Sequence, residues 1–254
     1  MAHRRESRDS APAGPRLDTV PWSGPVLVGR VLVVILVVVL GGCRASQGLG
    51  PTSSAGAPDP AARAVVVSTE GCGFASATRG SGVAVGGELV LVSAHVVAGA
   101  SEVRVDGRAV PVVSLDPDRD LALLRVAGFG MAPVPIADAP PGDTGRIVGA
   151  ATSGTTGYRV VRVVDIDIDA VRRSGRSIRK GYELEAEIAP GDSGAGMYSG
   201  DGRLVGVVFG SDPSNDHRAW ATAGTELADF IAEGPSGQFV CNRADSVLEP
   251  TEGR

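Results

Sequence analysis

The chain has 254 residues, 43% of them hydrophobic and 21% charged, with a formal net charge of −5. A chain this apolar can bury a core, so disorder over the whole length is excluded, and the negative balance argues against a basic nucleic-acid-binding surface. The 36 glycines and 17 prolines interrupt short Val-rich runs, a pattern typical of an all-β protein with few long helices.

Residues 1–43 have the composition of an export leader. Arginines dominate the charges up to Arg30, ten apolar residues follow at Val31–Leu40, and two glycines and Cys43 close the segment. This order is typical of a secretory signal, and ten apolar residues are too few to span a bilayer comfortably. The ending Leu40–Cys43 resembles a bacterial lipobox, which implies lipidation of Cys43, and an uncleaved signal anchor is the alternative. Both interpretations place the rest of the chain at the extracytoplasmic face of a bacterial membrane or in the periplasm.

Three segments are expected beyond the leader. Residues 44–62 are rich in Gly, Ser, Ala and Pro without apolar periodicity, which indicates a flexible tether. One folded domain is predicted at 63–241, without internal repeats, and a loose tail at 242–254.

Apart from Cys43, the cysteines are Cys72 and Cys241, near the two ends of the predicted domain. An even pair in an oxidising compartment favours a disulfide, and two buried free thiols are the alternative. A bridge would close nearly the whole domain into one loop, which the chain-entropy model rates at about 5 kcal/mol. With both cysteines bridged and few histidines left, we expect no metal site.

The domain is predicted to contain about ten strands and one short helix. Gly86-Gly87 and Asp106-Gly107 are typical of hairpin turns. Only Thr225–Glu233 has helical periodicity, with Thr225 as the predicted N-cap. The predicted strands are 64–69, 81–85, 88–93, 101–105, 108–114, 121–126, 146–150, 158–168, 183–188, 204–210 and 219–223.

Three short segments carry the residue types of nucleophilic catalysis. Ser93–Val97 contains His95, Asp118–Leu124 contains Asp120, and Pro190–Gly194 contains Ser193. A serine becomes a nucleophile when an imidazole takes its proton and a carboxylate holds that imidazole in the right tautomer. Of the three histidines, one lies in the leader and one among polar residues, so His95 is the candidate base.

Glycines flank the candidate nucleophile. Gly191 and Gly194 tolerate the backbone angles that turn successive N–H groups inward. We therefore expect the N–H groups of Gly191 and Ser193 to form an oxyanion hole.

Each of these residues also has a structural interpretation. Asp120 could cap a turn while Asp116 or Asp118 orients the imidazole, Ser193 could be a turn residue, and His95 could be a buried core histidine. The occurrence of all three in this order favours catalysis.

These motifs resemble the trypsin-like (chymotrypsin-fold) serine protease superfamily. The segments around His95 and Asp120, and Gly80–Val83 upstream, are similar to its HtrA-like branch and to the mycobacterial acid-resistance periplasmic proteases. The resemblance implies two antiparallel six-stranded β-barrels, with the site between them, and a short C-terminal helix. It further implies that Ser193 forms an acyl-enzyme and that strand Leu204–Gly210 pairs with the substrate backbone.

The sequence therefore predicts an exported, membrane-tethered serine endopeptidase, monomeric and without cofactor, that acts on proteins or peptides. No PDZ-like domain follows, and we expect no activating insertion of a new amino terminus. A non-catalytic binding module on the same fold is the alternative. An esterase elbow is disfavoured because Ala195 stands where that motif needs glycine. Glu187 lies where trypsin carries its specificity carboxylate, although strand alternation favours a solvent-facing position.

Overall fold

The computed structural model describes residues 59–251 except 74, 153, 170–175 and 245. The predicted leader, the predicted lipidation site Cys43 and most of the predicted tether lie outside the described residues, as does the end of the chain at 252–254. No described helix has both the length and the apolar character that a membrane span requires.

The first half of the domain is an antiparallel sheet of seven strands that carries one short helix. In chain order these are β1 (Ala64–Gly71), β2 (Arg79–Gly86), β3 (Leu89–Ser93), helix α1 (Ala94–Val97), β4 (Ala100–Val105), β5 (Arg108–Ala109), β6 (Val112–Asp116) and β7 (Leu121–Arg125). The strand order is β5-β4-β1-β2-β3-β7-β6, which leaves β5 and β6 as edges. Since β5 has only two residues and Pro111 beyond it has no N–H to donate, the ladder stops and the sheet remains a half-barrel.

The second half is a closed barrel of six antiparallel strands. Its strands are β8 (Thr144–Val148), β9 (Thr155–Asp169), β10 (Arg176–Glu185), β11 (Gly196–Ser199), β12 (Leu204–Asp212) and β13 (Asn215–Ala223), in the order β10-β13-β12-β11-β8-β9. Helix α2 (Gly224–Glu233) and a hairpin of β14 (Phe239–Asn242) and β15 (Val247–Pro250) follow. The all-β class with two barrel-like halves and a short C-terminal helix is confirmed, and only the second half closes fully.

One shared core joins the two halves. Leu91 and Leu123 of the first sheet pack in one cluster with Leu204 and Val207 of the second barrel and with Phe230 of α2. Each of these side chains is at most 1% exposed, and burial of each contributes roughly 1.5–3 kcal/mol. The cluster therefore fixes how the halves meet, and the candidate residues lie along that junction.

Helix α2 begins one residue earlier than predicted and is capped from a distance. Its N-cap position is Ala223, whose side chain accepts no hydrogen bond. Asp138, on the connection between the halves, accepts hydrogen bonds from the backbone N–H and the Oγ1 of Thr225 at 2.8 and 3.2 Å. The prediction of Thr225 as the cap is therefore wrong, because a carboxylate far along the chain satisfies the free N–H.

A hairpin takes the place of the predicted loose tail up to Pro250. β14 pairs with β15, and Leu248 is 9% exposed. The N–H of Leu248 donates to the carbonyl of Ala98, just after α1, at 2.8 Å. A disulfide joins Cys72 and Cys241, whose Cα atoms lie 5.7 Å apart. The hairpin is thus fastened to the first half of the domain beside α1.

Candidate active site

Helix α1 places His95 against Asp120. The N–H of Ala94 donates to the carbonyl of Asp120 at 2.9 Å, and the N–H of His95 donates to Oδ1 of the same residue at 2.8 Å. The imidazole Nδ1 lies 2.9 Å from Oδ2 and 3.2 Å from Oδ1. A carboxylate accepts hydrogen bonds only, so Nδ1 carries the proton and Nε2 is left free to take another.

Asp120 has the conformation and burial of a specialised residue. Its φ is +55°, in the left-handed region that few non-glycine residues adopt, and it is 2% exposed. Of the alternatives, Asp116 uses Oδ1 to accept from the N–H groups of Asp118 and Arg119 at 2.9 and 3.0 Å. Asp116 therefore caps its own turn, and the structure brings Asp120 to the imidazole.

Ser193 lies on a tight loop between β10 and β11. The φ angles of Gly191 and Gly194 are +105° and +88°, and a Cβ on Gly194 would lie 2.0 Å from the carbonyl oxygen of Ser81. The N–H of Gly194 donates to the carbonyl of Val208, and the carbonyl of Ser193 accepts from the N–H of Ser81, both at 2.8 Å. Within the described part of the chain, the N–H groups of Gly191 and Ser193 donate to no other residue. Both donors are therefore available to a developing oxyanion.

The helix with His95 and the loop with Ser193 meet at Gly80 in β2. A Cβ on Gly80 would lie 2.8 Å from the carbonyl oxygen of Ser193 and 3.0 Å from Cγ2 of Val96. The hydroxyl of Ser193 donates to the carbonyl of Phe209 over 3.5 Å, and among the described residues no hydrogen bond joins it to His95. Hydrogen bonds between catalytic groups are often long and tighten only in the complex with substrate.

Polar side chains hold the Ser193 loop from behind. Asp192, 8% exposed, accepts from Oγ1 of Thr152 at 2.6 Å and from the N–H of Ala189 at 2.8 Å. The hydroxyl of the fully buried Ser81 donates to the carbonyl of Gly191 at 2.9 Å. It also accepts from the N–H groups of residues 150 and 151 at 3.1 and 3.2 Å. Neutral donors thus satisfy the Asp192 carboxylate.

Sequence reasoning missed the roles of these supporting side chains. Ser81 lies in the Gly80–Val83 motif, so a signal was present, but the motif served only as a family marker. No local pattern marks Thr152, which is exposed and lies in the connection between β8 and β9.

Glu187 lies at the surface, as strand alternation predicts. Its side chain is 69% exposed, and Oε1 lies 3.1 Å from Nδ1 of His217. Together with Thr152 and Asp192 it lines a cavity of about 410 Å³.

A second cavity, of about 470 Å³, lies beside β12 and is lined by Phe209, Trp220 and Glu183 among others. Burial opposes ionisation of Glu183, but a hydrogen bond from Arg162 at 2.5 Å and an ion pair with Arg218 at 2.9 Å outweigh it and lower the pKa of this carboxyl. The cavity therefore has an apolar wall and a fixed ionic group.

Sequence comparisons show which proteins the chain resembles. Residues 80–207 match the family of trypsin-like peptidase domains. The serine protease Rv3671c of Mycobacterium tuberculosis is 31% identical over 182 residues, which is 64% of this chain and 45% of that protein. The serine protease PepD of the same organism is 29% identical over 134 residues, 49% of this chain and 27% of that protein. The chain thus spans less than half the length of these curated relatives.

Solved structures share the same fold. The active form of Rv3671c matches with a TM-score of 0.63 at 23% identity, covering 76% of this chain and 85% of that chain. The HtrA-type protease AlgW with a tripeptide matches with a TM-score of 0.57 at 19% identity, covering 68% of this chain and 60% of that chain. The family match spans half of the chain and includes His95, Asp120 and Ser193, so the predicted resemblance is confirmed: the chain belongs to the trypsin-like peptidase family.

Proposed function

We propose that the protein is an exported, membrane-tethered serine endopeptidase that cleaves peptide bonds through His95, Asp120 and Ser193. One observation carries the proposal: Nδ1 of His95 is held 2.9 Å from the buried carboxylate of Asp120, in a helix that adjoins the Ser193 loop. This contact fixes the tautomer that a general base needs.

The proposed reaction uses these groups in turn. Nε2 of His95 takes the proton of the Ser193 hydroxyl as Oγ attacks the scissile carbonyl carbon, and the Asp120 carboxylate stabilises the imidazolium. The N–H groups of Gly191 and Ser193 donate to the oxyanion of the tetrahedral intermediate. His95 then protonates the leaving amine, which leaves an acyl-enzyme. Water attacks this ester with His95 again as base, and the acid product and free serine are released.

An extended peptide has a strand edge available beside the nucleophile. β11 pairs with β12 only as far as Val207, whereas β13 stays paired with the other edge of β12 through Gly210 to Asp212. Residues Phe209–Ser211 thus offer one open edge, on which a substrate can add as a β-strand. This supports proteins and peptides as the substrate class.

A specific observation favours the alternative of a non-catalytic binding module. The hydroxyl of Ser193 contacts the carbonyl of Phe209 rather than His95. In that case the open edge of β12 would bind a peptide without cleaving it.

A fluorophosphonate probe distinguishes the two functions. We expect the wild-type domain to be labelled on Ser193, and His95→Ala, Asp120→Asn and Ser193→Ala each to lower labelling and peptide cleavage by about 10⁴-fold or more. Ser101→Ala, at an exposed serine of the first sheet, is the matched control and should react like wild type. Peptide binding by an unlabelled, folded wild-type domain would instead establish the binding module.

The membrane anchor has its own test. If Cys43 is lipidated, cells should incorporate a labelled fatty acid into the protein, and Cys43→Ala should abolish incorporation. A protein that keeps residues 1–42 and stays in the membrane fraction as Cys43→Ala would establish the signal anchor instead.

A further inference from the structure

A buried arginine lies behind the carboxylate of Asp120. The side chain of Arg179, in β10, is 1% exposed, and its Nη2 lies 3.7 Å from Oδ2 of Asp120. Nη1 donates to the carbonyl of Asp118 over 3.3 Å, and Cζ lies 4.5 Å from the centre of the Phe209 ring. One guanidinium of the second barrel therefore contacts the carboxylate that orients the imidazole. It also contacts Phe209, whose carbonyl oxygen accepts the hydrogen bond of the Ser193 hydroxyl.

Burial of this cation is costly, and hydrogen bonds compensate only part of the cost. Within the described part of the chain, Nε and Nη2 of Arg179 have no hydrogen-bond partner. Burial lowers the pKa of Arg179, while the charges of Asp120, Glu226 and Asp116 act to raise it. Apolar side chains of similar size usually stabilise a fold at least as well as a buried ion pair does. The charge itself, rather than packing, is therefore the property that this position supplies.

The nearby carboxylates of Asp116 and Glu226 already have another cationic partner, Arg119. Arg119 lies 3.2 Å from Asp116 of β6 and 3.3 Å from Glu226 of α2, and it also pairs with Glu233 at 2.8 Å. Among the described residues, Arg179 is the only arginine or lysine within 4.0 Å of Asp120.

We propose that Arg179 is a positioning residue that aims the Asp120 carboxylate and sets the pH at which His95 becomes a competent base. The inference rests on the proposed function. Oδ2 of Asp120 lies between the two cationic sites, 2.9 Å from Nδ1 of His95 and 3.7 Å from Nη2 of Arg179. A fixed positive charge that shares this carboxylate with the imidazole opposes protonation of the ring. It therefore extends the neutral, base-competent form of the ring to lower pH.

Two readouts test the proposal. The first is the titration of the His95 ring by NMR in a Ser193→Ala background, which needs no activity. The second is the acid limb of the pH profile of kcat/KM in the active protein. Arg179→Met should move both to higher pH by about one unit, because two unit charges separated by a single carboxylate group interact by about that amount even after solvent screening. Arg179→Lys, which keeps the charge, should recover more than half of the shift.

Arg159→Met is the matched control, since Arg159 of β9 is 61% exposed and lies 3.7 Å from Glu185 at the surface. Arg159→Met should leave both the His95 ring titration and the acid limb of the pH profile unchanged. An Arg179→Met protein that titrates like wild type would overturn the proposal, as would equal shifts in the Lys and Met variants. Should Arg179→Met not fold, Arg179→Gln carries the same prediction with a donor left for the Asp118 carbonyl. A wild-type protein that neither labels nor cleaves would overturn the proposed function, whereas the ring titration would still test the electrostatic inference.

Discussion

Replacement of Ser81 by alanine should disable the oxyanion hole while the fold remains. Its hydroxyl, fully buried in β2, donates to the carbonyl of Gly191 at 2.9 Å and accepts from two N–H groups of the connection between β8 and β9. Each buried polar group left unpaired costs about 1–3 kcal/mol. Since residue 151 is half-buried and water can reach its N–H, we assign about 2 kcal/mol to the loss. The loop can relieve this cost by turning the Gly191 carbonyl away, which also displaces the oxyanion donors.

A cost of about 2 kcal/mol corresponds to roughly a 30-fold fall in the population of the competent loop. We expect Ser81→Ala to lower kcat for a peptide substrate by that factor with little change in KM, because the oxyanion forms only in the transition state. Ser114→Ala is the matched control: this serine is 5% exposed in β6, and its hydroxyl pairs with that of Ser236 at 3.2 Å, on a different part of the first sheet. Ser114→Ala should lower the thermal midpoint by a few degrees, as Ser81→Ala should, but it should leave kcat unchanged. If Ser81→Ala loses stability like the control but keeps kcat within threefold, the assignment of Ser81 to the hole is refuted.

Three further perturbations test the site and the fold. Gly194→Ala places a Cβ 2.0 Å from a carbonyl oxygen at a φ of +88° and should abolish probe labelling, whereas Gly200→Ala, with open space around it, should label normally. Cys241→Ser should lower the free energy of unfolding in urea by about 2–4 kcal/mol and expose the β14–β15 hairpin to limited proteolysis; an unchanged unfolding curve would contradict a structural disulfide. The pKa of Glu183 is lowered from 4.5, so its ion pairs stabilise the fold above that pH and the benefit is lost as pH falls through the lowered value. Glu183→Gln should therefore be less stable than wild type at pH 7 and approach it as the pH falls through the lowered pKa, and a deficit that stays constant over that whole range would rule this out.

The contact between His95 and Asp120 was predictable because each residue lies in a short motif next to a strand. His95 follows β3, and Asp120 precedes β7. The glycines around Ser193 indicate a loop with unusual backbone angles. Local sequence is sufficient for such features because the same few residues determine both the conformation and the chemistry.

Contacts between distant segments were not predictable. Thr225 is a good local N-cap, but Asp138, 87 residues away, satisfies the helix N-terminus instead. Strand β15 has too little apolar periodicity to stand out, and it forms because its partner strand is tied to Cys72 across a separation of 169 residues. The sequence around Arg179 is typical of an exposed residue on an alternating strand. Nothing near it in sequence shows that its acidic partner, Asp120, lies in the other half of the domain.

The hydrogen bonds of β2 to the Ser193 loop have a consequence for any attempt to divide the molecule. The N–H of Ser81 fixes the carbonyl of Ser193, and the carbonyl oxygen of Ser81 fills the space that a side chain on Gly194 would need. A fragment containing only residues from 134 onward would carry the nucleophile and both oxyanion donors but lack the backbone that shapes them. This fragment and its complement should show no reactivity when separate and regain it only on reassociation. The two halves could therefore serve as a complementation pair.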